Sequence, residues 1–131
     1  MNLKSFKKII FGKSGFTIEE LIDLGRQHYK SLRYKKALKY FKEAAHKGDI
    51  IAHFFVGEMY DKGEGVPQDF KQAVYWYTKA AYQGDVSSQC RLAKMYLDGE
   101  GIAKDNDKAR YWFTKAGEHG CLGAPLHLRK K

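Results

Sequence analysis

The sequence repeats itself at an offset of 36 residues, and this period restricts the possible folds more than any other feature. Residues 56–60 read VGEMY, and residues 92–96, which lie 36 positions later, read LAKMY. The same offset pairs Gly63 with Gly99, Gly65 with Gly101, Asp69 with Asp105, Ala73 with Ala109 and Trp76 with Trp112. An earlier copy keeps this offset in its second half and an offset of 32 in its first half. Such a period predicts stacked copies of one small structural unit.

Each copy is predicted to form two helices joined by a turn. In the middle copy, apolar residues recur at helical spacing over roughly 51–62 and again over roughly 70–83. Gly63 and Gly65 lie between these segments and can adopt the positive φ that ends a helix. Asp69 precedes the second helix and can cap it by accepting backbone N–H bonds. The sequence therefore predicts an all-α protein built from helical hairpins.

The small and large residues of the repeat have a packing explanation. Gly57 and Ala93 are small at positions where two helices must approach closely. Trp76 and Trp112 are large enough to fill the space between successive helical pairs. Because one pair cannot bury its apolar face alone, the copies are expected to stack around a common core.

These motifs resemble the Sel-1-like repeat family, a relative of the tetratricopeptide repeats. The resemblance covers roughly residues 17–128, and its motif includes Val56-Gly57, Tyr60, the GEGV turn at 63–66, Asp69, Ala73, Trp76 and the KAA segment at 79–81. It implies a right-handed α-α superhelix (solenoid) of about three helix-turn-helix repeats with short capping helices. Members of the family are mostly adaptors and scaffolds in protein complexes, and many are bacterial.

The repeat and the resemblance together divide the chain into five segments. These are a basic N-terminal arm or capping helix at 1–16, a tetratricopeptide-like repeat at 17–48, Sel-1-like repeats at 49–84 and 85–120, and a C-terminal capping helix at 121–131. The first segment has amphipathic character, so it either caps the stack or binds a membrane surface or partner.

The net charge of +9 is concentrated towards the two ends of the chain. Residues 1–16 contribute +4 and residues 17–48 another +4, whereas residues 49–120 carry −2. A basic patch follows one face of the second helix in the first copy: Lys35, Lys39 and Lys42. This distribution fits an acidic protein partner or an anionic surface better than a continuous nucleic-acid track.

The two cysteines, Cys90 and Cys121, lie 31 residues apart and do not follow the repeat period. We therefore expect two free, unreactive thiols in a reducing compartment. No run of about 18 apolar residues predicts a transmembrane helix, and the N-terminal apolar stretch is too short for an export signal. These features predict a cytoplasmic protein.

No arrangement of residues in the sequence predicts catalysis. The histidines form no HExxH pattern, the cysteines form no CxxC pair, and no glycine-rich phosphate loop is followed by a lysine. Hydrolase activity has been suggested for disulfide-rich relatives, but those relatives carry paired cysteines in each repeat, unlike this chain. We expect a protein that is not an enzyme and uses no metal or cofactor.

The resemblance implies that the first helix of each pair lines a concave surface. Residues on that face are expected to contact a partner: Ile22, Arg26, Tyr29, Lys30, Phe54, Glu58, Asp61, Lys94 and Leu97. Ile22, Tyr29, Phe54 and Leu97 are apolar where exposure favours polar side chains. This fits protein recognition, unless some of them belong to the core between repeats.

The leading hypothesis is a cytoplasmic adaptor or scaffold that binds a peptide or protein, expected to be acidic, in its concave groove. A special case is a bacterial immunity-type protein that neutralises a toxin. The alternative is a peripheral binder of anionic membrane or nucleic acid through the basic N-terminal third, although no base-stacking motif favours nucleic acid. Because the ends of a short solenoid can stack, we expect a monomer or a weak dimer.

Overall fold

Six helices follow one another in the part of the chain that the structure describes. The computed structural model describes residues 15–117 and Cys121, and this part of the chain contains no strand. The helices are α1 (Ile18–Lys30), α2 (Tyr34–His46), α3 (Ile50–Lys62), α4 (Phe70–Tyr82), α5 (Val86–Asp98) and α6 (Asn106–Ala116). Each helix packs mainly against the helices before and after it. The described chain is an all-α helical solenoid of three helical pairs, as predicted.

Two features predicted at the edges of the repeats lie largely beyond this description. The capping helices expected within 1–16 and 121–131 fall outside the described residues, except for Gly15, Phe16 and Cys121. None of the described helices combines the length and the apolar character needed to cross a membrane.

The helix boundaries follow from capping residues that the sequence supplies. Thr17 and Glu20 form a reciprocal capping box at the start of α1, in which each backbone N–H donates to the other side chain at 3.1 Å. Asp69 and Asp105 accept backbone N–H bonds at the starts of α4 and α6, which confirms the predicted caps. Gly63 ends α3 in the left-handed region, with a φ of 72°.

The second glycine of each GxG turn has a packing role besides its conformational one. Gly101 has a φ of 71°, and a Cβ atom placed there would lie 2.5 Å from the backbone carbonyl group of Phe70. Gly65 has the same relation to Tyr34, with the corresponding contact at 2.8 Å. Since Tyr34 and Phe70 begin the second helix of the preceding pair, each turn touches the pair before it. The GxG motif therefore couples successive helical pairs.

Close helix approach occurs at the positions predicted for small residues. The ring of Tyr77 packs so closely over Gly57 that an added Cβ atom would lie 2.9 Å from the ring. Phe41 covers Gly25 in the same way, with the corresponding contact at 2.5 Å. In each of these pairs, the aromatic ring of the second helix packs directly against the backbone of the first helix.

Both tryptophans are buried between successive helical pairs, as predicted. Trp76 is 6% exposed, and its ring centroid lies 5.9 Å from that of His46. Trp112 is 3% exposed and lies 4.9 Å from Tyr82, the residue 36 positions after His46. The two indoles therefore occupy equivalent surroundings, and the sequence repeat is also a repeat in packing.

The expectation of two free thiols is wrong. Cys90 in α5 and Cys121 form a disulfide, with their Cα atoms 5.4 Å apart. The sequence argument looked for cysteines that recur with the period, whereas this bridge joins α5 to a residue beyond the end of α6. Because α6 packs against α5, Cys121, which lies beyond the end of α6, can reach Cys90 in α5.

Candidate functional site

Two neighbouring cavities open along the first helices of the three pairs. The first cavity, of about 240 Å³, lies between α1 and α3 and is lined by residues that include Arg26, Tyr29, Lys30, Phe55, Glu58 and Met59. The second cavity, of about 320 Å³, lies between α3 and α5 and is lined by residues that include Phe54, Glu58, Asp61, Tyr77, Arg91 and Lys94. Glu58 lines both cavities, so they adjoin each other in one groove. Each cavity lies near or below the lower limit of small-molecule sites, and its size suits a side chain.

The two cavities occupy equivalent places in successive repeats. At the offsets of 36 and 32 residues found in the sequence, residues of the first cavity correspond to residues of the second: Phe41 to Tyr77, Phe55 to Arg91, Glu58 to Lys94, Arg26 to Glu58 and Tyr29 to Asp61. The backbone scaffold is therefore repeated while the side-chain chemistry changes. A repeated site with altered chemistry can recognise two different groups of one partner.

The first cavity has an apolar floor with a basic edge. The rings of Phe41 and Phe55 lie 4.8 Å apart at its base. The guanidinium carbon of Arg26 lies 5.6 Å from the centre of the Phe55 ring, which is a cation–π distance. The Tyr29 hydroxyl donates to the Glu64 carboxylate at 2.8 Å. Burial, together with this hydrogen bond, raises the pKa of Tyr29 above its usual value, so its phenol stays neutral.

The second cavity has a polar floor built on an ion pair. Arg91 donates to both oxygens of Asp61, from Nε to Oδ2 at 2.6 Å and from Nη2 to Oδ1 at 2.8 Å. The Tyr77 hydroxyl donates to the same carboxylate at 3.0 Å, and Arg91 Nη1 donates to Glu100 at 3.3 Å. Such a two-pronged arginine–carboxylate contact fixes the geometry of both side chains. Arg91 and Asp61 therefore join α3 to α5 across the groove.

The Asp61 carboxyl group has a lowered pKa. Burial alone would raise this pKa, but the hydrogen bonds and positive charge of Arg91, with the hydrogen bond from Tyr77, outweigh it. A carboxyl group with a lowered pKa in the folded protein stabilises the fold above its unfolded pKa. This contribution disappears as the pH falls from the unfolded pKa through the folded one.

Acidification is therefore expected to weaken the fold through Asp61 at pH values below about 4, where the unfolded carboxyl group becomes protonated. The measurement is the unfolding midpoint in urea between pH 6 and pH 2 for the wild type and for Asp61→Asn. The wild type should lose more stability over this range than the variant does. Equal pH dependence of the two proteins would contradict the assigned role of the ion pair.

Some of the basic side chains at the groove are paired with acids, and others are not. Asp61 is bound by Arg91, and Glu58 lies 3.6 Å from Lys62. Three exposed bases at the cavities form no ion pair among the described residues: Arg26, Lys30 and Lys94. The groove therefore offers unpaired positive charge to an incoming ligand.

Most of the residues predicted to contact a partner line these cavities. Arg26, Tyr29, Lys30 and Glu58 line the first cavity. Phe54, Asp61 and Lys94 line the second cavity, which also shares Glu58 with the first. Asp61 differs from the expectation in one respect, because its carboxylate is already bound within the protein.

Two predicted contact residues belong to the core. Ile22 is 8% exposed and packs in the core of the first two pairs, so its assignment as an exposed anchor is corrected. The buried face of α1 runs through Leu21, Ile22 and Gly25, whereas Arg26 faces the groove. Leu97 is partly buried against the core of the later pairs and lines neither cavity.

The predicted basic patch on α2 does not line the cavities, although Phe41 of the same helix lines the first one. Lys35 and Lys39 are exposed on α2, and Lys42 is half-buried with its ammonium group 5.2 Å from the ring centre of Tyr60. None of these three lysines lines either cavity. The patch is thus a separate surface of the first pair.

Phe55 and Arg91 are groove residues that sequence reasoning missed. The sequence did contain a signal. Arg91 stands at the position equivalent to Phe55, and Asp61 stands at the position equivalent to Tyr29. A new charge that arrives together with an opposite charge indicates an ion pair. Within residues 15–117 and 121, no three histidine, cysteine or acidic side chains come together in a way that could hold a metal ion.

Comparisons with solved structures place this architecture among known proteins. The chain is similar to a Sel1 repeat protein from Oxalobacter formigenes, with 28% identity, a TM-score of 0.74, and coverage of 78% of this chain and 44% of that one. It is also similar to c5321, a protective antigen of uropathogenic Escherichia coli with an SLR fold, with 34% identity, a TM-score of 0.74, and coverage of 91% and 26%. The chain thus spans less than half the length of either protein.

A third solved structure shares the fold alone. Cysteine-rich protein B of Helicobacter pylori is 21% identical, with a TM-score of 0.62 and coverage of 83% of this chain and 98% of that one. No curated protein matches the sequence significantly. The Sel1 repeat pattern matches residues 24–49, 50–85 and 86–121, which together make up most of the chain. With three consecutive matches and the solenoid that they form, the chain belongs to the Sel1 repeat family.

Proposed function

We propose that this protein is an adaptor or scaffold that binds an acidic protein segment in the groove formed by α1, α3 and α5. Sel1 repeat proteins generally mediate protein–protein interactions, and their fold is typical of a non-catalytic scaffold. The observation that carries the proposal is the pair of adjoining cavities edged by the unpaired bases Arg26, Lys30 and Lys94. Unpaired charge at the edge of an apolar site favours partners of opposite charge.

The narrower role as a toxin-neutralising immunity protein stays a prediction. A groove of two side-chain-sized cavities suits one peptide segment of a partner, and toxins are only one class of protein that could present such a segment. A monomer or weak dimer remains the expected state, since no feature of the groove requires a second copy.

The disulfide changes the expected location of this binding. Persistent disulfides form in oxidising compartments and are rare in the cytoplasm. The Cys90–Cys121 bridge therefore argues against the cytoplasmic location expected from the sequence. We infer that the protein meets its partner in an oxidising compartment.

Charge reversal in the groove is expected to weaken partner binding. A display library of random twelve-residue peptides is selected on the disulfide-bonded protein, and the affinity of each selected peptide is then measured by fluorescence anisotropy. Arg26→Glu and Lys94→Glu should each weaken binding at least tenfold, because each replaces an unpaired base by an acid. Lys71→Glu carries the same charge change at an exposed position outside both cavities and should bind like the wild type.

The same assay tests the alternative site on α2. The double variant Lys35→Glu/Lys39→Glu removes two exposed bases of the basic patch and leaves the groove intact. Selected peptides should bind this variant as they bind the wild type. If binding falls in the α2 variant and persists in the groove variants, the basic patch is the binding surface and the groove proposal is wrong.

A further inference from the structure

We propose that the two cavities select different side chains of one extended peptide: an apolar side chain enters the first cavity and a carboxylate side chain enters the second. This inference rests on the proposed function and adds the sequence preference of the partner. It is based on the equivalence of the two cavities and on the chemistry that differs between them.

The first cavity favours an apolar side chain because its interior presents little else. Phe41 and Phe55 form its base, and the buried Met59 lies beside them. Tyr29 also lines this cavity, but its hydroxyl already donates to Glu64. An apolar side chain that enters this space loses contact with water and gains contact with aromatic surface.

The second cavity favours a carboxylate because its free groups are donors. Two carboxylates line it and both are engaged: Asp61 accepts from Arg91 and Tyr77, and Glu58 lies 3.6 Å from Lys62. Arg91 has five N–H donors, and its hydrogen bonds to Asp61 and Glu100 use one donor on each of its three nitrogen atoms, which leaves two N–H groups available. Lys94 stands where the first cavity has Glu58, and Glu58 stands where the first cavity has Arg26, so the second cavity has its unpaired base at a different position on its edge.

The spacing of the cavities fits an extended peptide. The cavities are one helical pair apart and share Glu58 at their boundary, so they lie next to each other along the groove. A peptide in the polyproline II conformation turns once in about three residues and advances about 3.1 Å per residue. Two side chains that are three positions apart therefore project to the same side about 9 Å from each other. The expected partner motif is an apolar residue and an acidic residue separated by two others.

Capped synthetic peptides test this preference on the disulfide-bonded protein. The parent probe carries phenylalanine and glutamate three positions apart in a serine–glycine background, and its relatives replace phenylalanine by serine or glutamate by glutamine. A further probe places the pair seven positions apart, which is the spacing that suits a helix. By fluorescence anisotropy, the parent should bind at least tenfold tighter than each of the three other peptides.

Variants of the protein should separate the two preferences. Lys94→Glu is expected to remove the preference for glutamate over glutamine and to leave the preference for phenylalanine over serine. Phe55→Ser is expected to have the opposite pattern, and circular dichroism checks that it is folded. If Phe55→Ser fails to fold, the Lys94→Glu variant decides alone. Lys71→Glu, which lies outside the cavities, should keep both preferences.

The outcomes distinguish this inference from the proposed function. If library peptides bind the groove but the parent probe has no advantage over its serine or glutamine relatives, the side-chain assignment is wrong while groove binding holds. A tighter fit of the seven-position probe would overturn the extended conformation. If selected peptides ignore Arg26→Glu and Lys94→Glu, the proposed function fails, and this inference fails with it.

Discussion

Replacement of Trp76 by alanine is expected to lower the free energy of unfolding by about 3–5 kcal/mol. Trp76 is only 6% exposed and packs in the core cluster that joins the first and second helical pairs. In a repeat array, stability is approximately a sum over repeats and the interfaces between neighbours. A loss at this interface should therefore also separate the unfolding of the first pair from that of the others. Urea unfolding followed by circular dichroism measures both effects.

Two internal controls sharpen this experiment. Trp76→Phe retains most of the apolar contact and removes an indole N–H that has no hydrogen-bond partner among the described residues, so it should cost less than about 1.5 kcal/mol. In Trp76→Ala, Trp112 is the only tryptophan left, and its fluorescence reports on the third pair. A Trp76→Ala protein as stable as the wild type would contradict the assigned stacking of the pairs.

Reduction of the Cys90–Cys121 bridge is expected to destabilise the protein by about 3–4 kcal/mol, the loop-closure entropy of a 31-residue loop. The bridge ties the chain that follows α6 to α5, so the third pair should be affected most. The measurement is the urea midpoint, followed by circular dichroism and tryptophan fluorescence, with and without dithiothreitol.

The double variant Cys90→Ala/Cys121→Ala is the matched control for reduction. It should unfold at about the midpoint of the reduced wild type and should not respond to dithiothreitol. Mass spectrometry after alkylation, without prior reduction, should find both cysteines of the wild type protected. Two alkylated cysteines in the untreated protein, or a midpoint that dithiothreitol leaves unchanged, would contradict the bridge.

The period made much of the fold predictable from sequence. Residues at one offset must occupy equivalent surroundings in a stack, so the burial of Trp76 and Trp112 followed from their pairing alone. The helix caps at Asp69 and Asp105 were equally accessible, because an N-cap depends on neighbouring residues and local backbone geometry. Local and periodic features are the ones that a single sequence expresses directly.

Features that break the period were the ones missed. Cys90 and Cys121 meet only because α6 reverses the chain, a long-range contact that no local pattern encodes. The Ile22 assignment failed because neighbouring positions on a helix point about 100° apart, so a shift of one residue exchanges the groove for the core. In the Arg91–Asp61 ion pair, each residue stands where the repeat before its own has an aromatic residue, Phe55 or Tyr29, and the ion pair depends on both changes together.

Backbone amide chemical shifts, recorded by NMR during titration with a library-selected peptide, test the groove most directly. Adaptor binding across the two cavities predicts the largest shift changes at residues such as Arg26, Phe55, Arg91 and Lys94, with contributions from both cavities in a single saturable transition. Changes confined to the outer positions of α2 and α4, such as Lys39 and Tyr75, would place the partner elsewhere and contradict the account.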